Sequence, residues 1–144
     1  MRDYTIYLCG GMGKFGKENF DECNKWRRYC KHKLETCMCS YRVEAINPND
    51  YFNFVDEPQY ETQNEVMRFD LYKLRNSNLV IANFNDMYSL GSMSEMAIAY
   101  DRGIPVIGLN ETNQELHPWQ VCMCERIFKN IDCMLDYIED FYLR

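Results

Sequence analysis

Four short apolar runs punctuate the chain: YTIYLC at 4–9, YRVEAI at 41–46, NLVIANF at 78–84 and IPVIGL at 104–109. Each has the length of a strand, and the last two lack the polar alternation of a half-exposed one, which marks burial on both faces. Between the runs the apolar period becomes that of a helix. Phe20, Cys23, Cys30 and Leu34 share a stripe that predicts a helix over about residues 18–34. A second helix is expected over about 62–76. Residues 88–91 read as a loop, after which Met93, Met96, Ala97 and Tyr100 recur at helical spacing until Gly103 offers a stop. Ile131, Leu135, Ile138 and Tyr142 line a last helix over about 130–142.

Strands that alternate with helices, without repeats or low-complexity linkers, specify an α/β fold. The expected architecture is Rossmann-like (flavodoxin-like), a mostly parallel sheet with helices on both faces. The 144 residues suit a single domain, 1–144, with a substantial core. In such sheets ligands bind beyond the carboxyl ends of the strands. Here those ends are residues 9–16, 46–52, 84–91 and 109 onward, and the chemically unusual stretches of the chain fall in or beside them.

Composition narrows the partners. A net charge of −6 argues against a nucleic-acid duplex, whose phosphates need a basic face, but leaves room for a small anionic metabolite in a locally positive pocket. No run of 18 apolar residues is present, and MRDYTIYLCGGMG lacks the order of a signal peptide, so no membrane is expected and the location is expected to be cytoplasmic. Cys9, Cys23, Cys30 and Cys133 fall in apolar stripes and read as reduced core thiols. The pairs Cys37/Cys39 and Cys122/Cys124 lack the two-residue spacing of a zinc knuckle, and only two histidines accompany them, so no metal is expected.

Two carboxylates stand out. Val66, Asp70 and Leu74 are spaced by four, which puts Asp70 on the core-facing side of its helix, a costly place unless something there uses the charge. That helix runs antiparallel to the 78–84 strand, so Asp70, roughly 9 Å up its axis, lies toward the strand's carboxyl end. Glu95 starts the next helix just past the same end. Ser92-Met-Ser-Glu95 matches a capping box, with Glu95 in the first turn reaching back to the helix start. A first-turn position also favours an ionised carboxylate, which a nucleophile needs.

IYLCGGM (6–12), NPNDYF (47–52), FDLYKLRNSNLVIANF (69–84) and SLGSMSE (89–95) together resemble the nucleoside 2-deoxyribosyltransferase family, whose relatives include 2'-deoxynucleoside 5'-monophosphate N-glycosidases. The similarity spans about residues 4–110, and LHPWQ (116–120) looks like the tail of phage and bacterial members. The resemblance implies Glu95 as nucleophile, Asp70 as second acid and Tyr7 as their neighbour. It places Gly10, Gly11, Met12 and Lys14 of the glycine-rich turn near the substrate. Asn47, Tyr51, Phe52, Asp86, Ser89 and Gly91 from the other motifs join them, with Trp119 from the tail. It further implies no cofactor, a nucleoside or nucleotide substrate, and a homo-oligomer. NETNQELHPWQVCMC puts Trp119 and Met123 in a surface segment, so residues 111–126 are expected to help close a neighbour's site, the alternative being that Trp119 folds back onto its own sheet.

The chain departs from the family pattern at Met93, where many members carry Gly. Ser89 is the residue type of the monophosphate hydrolases, suited to phosphate together with Lys14 and the backbone amides of Gly10–Gly13. The hydrolases' Arg is absent from that turn, and Asp86 would suit a sugar hydroxyl instead. The expected activity is cleavage of the N-glycosidic bond of 2'-deoxyribonucleosides through a deoxyribosyl-Glu95 intermediate, with transfer to another base. Monophosphate hydrolysis is the alternative. Two rival readings are a TIR-like NAD glycohydrolase and a non-catalytic nucleotide-binding module.

Overall fold

The computed structural model describes residues 1–12, 20–52 and 60–144, the Phe20 side chain excepted. Gly13, Lys14, Gly16, Phe54 and Pro58 lie outside the described residues. In chain order the elements are strand β1 (Arg2–Gly10), helix α1 (Phe20–Glu35), β2 (Tyr41–Ile46), α2 (Gln63–Arg75), β3 (Leu79–Asn83), α3 (Leu90–Asp101), β4 (Val106–Leu109), α4 (Pro118–Met123), β5 (Arg126–Phe128) and α5 (Ile131–Tyr142). Short 3-10 turns at Pro48–Asp50 and Phe84–Asp86 follow β2 and β3.

The five strands pair in the order β2-β1-β3-β4-β5, and every pairing is parallel. This is the doubly wound order whose ligand crevice opens between β1 and β3. Strand alternation divides the core. Ile6 and Leu8 face Trp26, Cys30 and Leu34 of α1 and Met134, Leu135 and Ile138 of α5. Tyr7 and Cys9 face Leu74 of α2 and Met96 and Ala99 of α3. Helices therefore cover both faces, as the alternation of elements predicts.

The pairings of β1 are staggered. β2 accompanies it from Arg2 to Tyr7, whereas β3 accompanies it from Ile6 to Gly10. Among the described residues no strand lies on the β2 flank of Leu8–Gly10, and the Gly10 carbonyl is met by Arg27 of α1 instead, at 2.7 Å.

Several expectations need correction. α3 begins at Leu90, so Leu90 and Gly91 are helical rather than loop. Its buried side is Ser92, Met96 and Ala99, while Ala97 and Tyr100 face outward. Cys9, Cys23 and Cys30 are buried, but Cys133 is exposed because α5 turns its Met134–Leu135–Ile138 side to the sheet. β5 and α4 have no counterpart in the apolar pattern. No helix among the described residues is long and apolar enough to cross a membrane.

Candidate active site

Tyr7 and Cys9 stand on the α2/α3 side of β1, near its carboxyl end, and Glu95 and Asp70 reach the same place from the two helices. The Cys9 thiol donates to the Ser92 carbonyl at 3.5 Å and lies 3.9 Å from Glu95 Oε1. Tyr7 Oη, Glu95 Oε2 and Asp70 Oδ1 are all shielded from solvent, and none closes a hydrogen bond among the described residues. Three unsatisfied polar atoms at one strand end are costly to folding, which points to a group held for something other than packing.

Glu95 does not complete a capping box. The N-cap of α3 is Ser89, whose hydroxyl accepts from the Ser92 amide at 3.3 Å. With Leu90 as the first helical residue, Glu95 falls in the second turn, too far along to reach the helix start. The capping reading of Glu95 is thus overturned, and its carboxyl projects toward Tyr7 and Cys9 instead.

The electrostatics follow from that crowding. Burial pushes the Glu95 carboxyl up to about 7, opposed by the Tyr7 hydroxyl, the Arg27 guanidinium and the Cys9 thiol. Burial, then the neighbouring Glu95 charge, push Asp70 up to about 7, with Arg27 opposing. Burial raises Tyr7 far above an ordinary phenol, with Glu95 and Asp70 adding to the shift. It therefore stays a neutral hydrogen-bond donor. Two carboxyls that titrate near neutrality can exist with one proton between them, the state in which one attacks and the other gives a proton.

The expected substrate residues are placed as follows. Gly10 and Gly11 are tight by necessity: a Cβ at Gly10 would meet Trp26 at 2.8 Å, and one at Gly11 would meet the Asp86 Cβ at 2.6 Å. The Gly11 amide donates to Asn85 Oδ1 at 2.9 Å, so it is not free for an anion, which corrects the expected run of open amides. Met12 is half-buried beside it. Asn47 is buried, accepts from the Asn49 amide at 3.0 Å, and joins Asn24 and Asn49 in an amide cluster that pins the turn after β2. Tyr51 and Phe52 pack on Phe69, whose neighbour in α2 is Asp70, with ring centroids 5.1 and 5.0 Å away. They form an aromatic wall beside the acid.

Asp86 is half-buried and accepts from the Tyr88 amide at 3.1 Å, shaping the turn into α3. Gly91 would give a Cβ open space, so its surroundings are unfilled. Met93 turns toward α4, where its sulfur accepts from Gln120 at 3.0 Å. Trp119 is 75 % exposed and is not brought to the carboxylates within one chain. A separate cavity of about 500 Å³, lined by Trp26, Tyr29, Asn83 and Glu111, opens on the α1/α5 face of the sheet, away from Asp70 and Glu95. Among the described residues, no three His, Cys, Asp or Glu side chains are grouped so as to hold a cation.

Two features are absent from the sequence reading. Arg27 is fully buried under the end of β1, donating to the Cys23 and Gly10 carbonyls at 2.7 Å each. Its signal is present in the sequence, since position 27 completes the Cys23, Cys30, Leu34 stripe. Asn85 is the second, clasping Gly11, and carries no periodic signal because it sits in a turn.

A model of the family described as nucleoside 2-deoxyribosyltransferase matches residues 6–138. The chain belongs to that family. Among solved structures, the 2-deoxyribosyltransferase of Bacillus psychrosaccharolyticus has a TM-score of 0.72 at 15% identity, covering 92% of this chain and 91% of its own. A 2-deoxyribosyltransferase of Leishmania mexicana has 0.67 at 13%, covering 97% of this chain and 99% of its own. The Clostridium botulinum CMP N-glycosidase BcmB has 0.61 at 13%, covering 94% and 98%. At these identities the likeness is one of fold. No curated protein matches the chain in sequence. Membership in the nucleoside 2-deoxyribosyltransferase family agrees with the resemblance carried by the four sequence motifs.

Proposed function

We propose that this family member cleaves the N-glycosidic bond of 2'-deoxyribonucleosides and passes the deoxyribosyl group to a second base. The observation that supports it is the pair of inward carboxyls, Glu95 and Asp70, both titrating near 7 at the β1 end. Ionised Glu95 attacks C1', the C1'–N bond breaks with its electrons going to the base, and protonated Asp70 supplies the base with its proton. The sugar is then an ester of Glu95. An incoming base attacks C1' from the vacated side, loses a proton to Asp70 and frees Glu95, so the anomeric configuration is retained. Tyr7, neutral and beside Glu95, orients the carboxylate. The aromatic wall of Tyr51 and Phe52 supplies a stacking surface for the base.

Water in place of the second base would make the same site a hydrolase. The reading as a 5'-monophosphate hydrolase draws on Ser89. That hydroxyl accepts from the Ser92 amide and retains its own proton to donate. The residues that the family resemblance implies are the substrate-contacting set we assign, Arg27 and Asn85 excluded, with a homo-oligomer as the working form.

The test is product analysis. The protein is incubated with deoxynucleosides and deoxynucleoside monophosphates, with and without a second free base. A new deoxynucleoside formed only when that base is present supports transfer. Free base with deoxyribose 5-phosphate, formed faster from the monophosphate, would replace it with hydrolysis.

A further inference from the structure

Arg27 is a buried cation that lacks an ordinary reason to be one. It is fully buried, and among the described residues no carboxylate lies within salt-bridge reach of it; the ion pairs there are Arg28–Asp21, Lys31–Glu35 and Arg42–Asp3. Its two hydrogen bonds go to main-chain carbonyls, of Cys23 within α1 and of Gly10 at the end of β1. Its Nε–H finds no acceptor among the described residues. The Trp26 ring, 4.8 Å from Cζ, offers only a weak cation–π contact. Two carbonyls can be satisfied by neutral donors, so nothing local requires a charge here, and burying one is costly.

Its charge is felt by both carboxyls, Glu95 and Asp70. Gly10, which Arg27 binds, follows Cys9, whose thiol lies 3.9 Å from Glu95. Arg27 thus sits across the end of β1 from the two carboxyls, buried beneath α1. We propose that Arg27 is the counter-charge of the Glu95/Asp70 pair: one buried cation against two carboxyls, which keeps one of them ionised and leaves the other to hold a proton. Arg27 touches no substrate. It is a positioning residue that acts through the field at Glu95, and this role deepens the glycosyl-transfer reading given above.

Titratable and charged groups reach the pair from each packed element. Tyr7 and Cys9 face Glu95 from β1, Asp70 faces it from α2, and Arg27 lies behind from α1. Arg27 in turn is faced by Cys9, Cys23, Glu95 and Tyr7. Of these only Arg27 is positive, so only its removal takes away attraction for a carboxylate.

The direct test follows the Glu95 carboxyl by NMR in protein labelled with 13C-glutamate, with Glu95→Gln assigning the signal. In Arg27→Met the Glu95 titration should move to higher pH by at least one unit, and in Arg27→Lys by less. An unchanged titration overturns the proposal. This readout needs no turnover, so inactivity of the wild type toward every nucleoside would sink the proposed reaction while leaving the role of Arg27 to be judged on its own. Where turnover is present, the acid limb of the kcat profile should shift with the NMR midpoint. Should Arg27→Met fail to fold, the same substitution combined with Asp70→Asn and Glu95→Gln should restore a folded chain, because the repulsion it exposes is gone. Failure in both backgrounds would show that Arg27 only holds carbonyls, and would refute the proposal.

Discussion

Glu95 and Asp70 meet at the end of β1 without a hydrogen bond on Oε2 or Oδ1, and chemistry at C1' would use both groups in different protonation states. Glu95→Gln should therefore abolish glycosidic turnover while the chain stays folded, since a neutral amide replaces a group that burial already disfavours as an anion. Circular dichroism and product assays check both halves, and retained turnover would remove Glu95 from the mechanism. For Asp70 the sign of the pH effect is fixed by its shift. The folded carboxyl titrates at about 7, against an ordinary value of 3.8. As pH rises, the unfolded chain loses this proton first, so the contribution to stability is full below about 4, falls between about 4 and 7, and is level above. Asp70→Asn should hence equal wild type near pH 4 and gain about 1–2 kcal/mol by pH 8, a discounted figure because Asp70 is only partly withdrawn from water. Base departure should slow strongly in the same variant. Urea titrations at the two pH values decide it; a loss of stability with intact catalysis would make Asp70 a structural partner. Asp70 was legible because a carboxylate interrupts an apolar stripe. Arg27 interrupts one in the same way, but a stripe of Cys and Leu with a basic gap also describes a solvated edge, and only the fold shows the gap pointing inward.

At the scale of elements, the starts of helices were the hardest to read. Ser89-Leu-Gly-Ser92 and Ser92-Met-Ser-Glu95 both offer a cap, and local pattern cannot choose between them; the turn at Phe84–Asp86 does, by delivering the chain to Ser89 already extended. The six residues of α4 and three of β5 are too short for a period to show. Yet α4 had a chemical signature in HPWQ: Pro118 at the first helical position, with His117 and Gln120 forming a reciprocal cap. The long strands were read within a residue or two wherever burial on both faces left no alternative. Because Ser89 caps α3 through a contact of 3.3 Å, Ser89→Ala should cost about 0.5–1 kcal/mol in thermal or urea unfolding. The same variant ranks the substrates. If wild type prefers a deoxynucleoside monophosphate over its nucleoside in kcat/KM and the variant loses that preference, Ser89 binds phosphate and monophosphate hydrolysis becomes the first reading.

The molecule as a whole leaves apolar surface along one side. Trp119 is 75 % exposed, Leu90 85 % and Tyr100 52 %, and Ala97, Tyr100, Trp119 and Met123 line a shallow groove of about 400 Å³. Exposed aromatics next to Met suit an interface. Trp119, which a single chain keeps away from Asp70 and Glu95, would then serve a neighbouring copy. Wild type should sediment as a dimer or larger at micromolar concentration, and Trp119→Glu should release monomers with reduced turnover. A wild-type monomer would refute the assembly.

The staggered pairing of β1 has a consequence for biosynthesis. The Ile6–Cys9 run leaves the ribosome well ahead of its β3 partner, which begins only at Leu79. At roughly 5–20 residues per second, that strand waits on the order of 10 s for its second neighbour. During the wait one apolar edge is open to any other nascent chain, and loop closure over so long a span makes the pairing slow. Tyr7 and Cys9 acquire their surroundings only after α3, still later in the chain, has docked. β1 is thus made before both of its partners and finished only after the later of them.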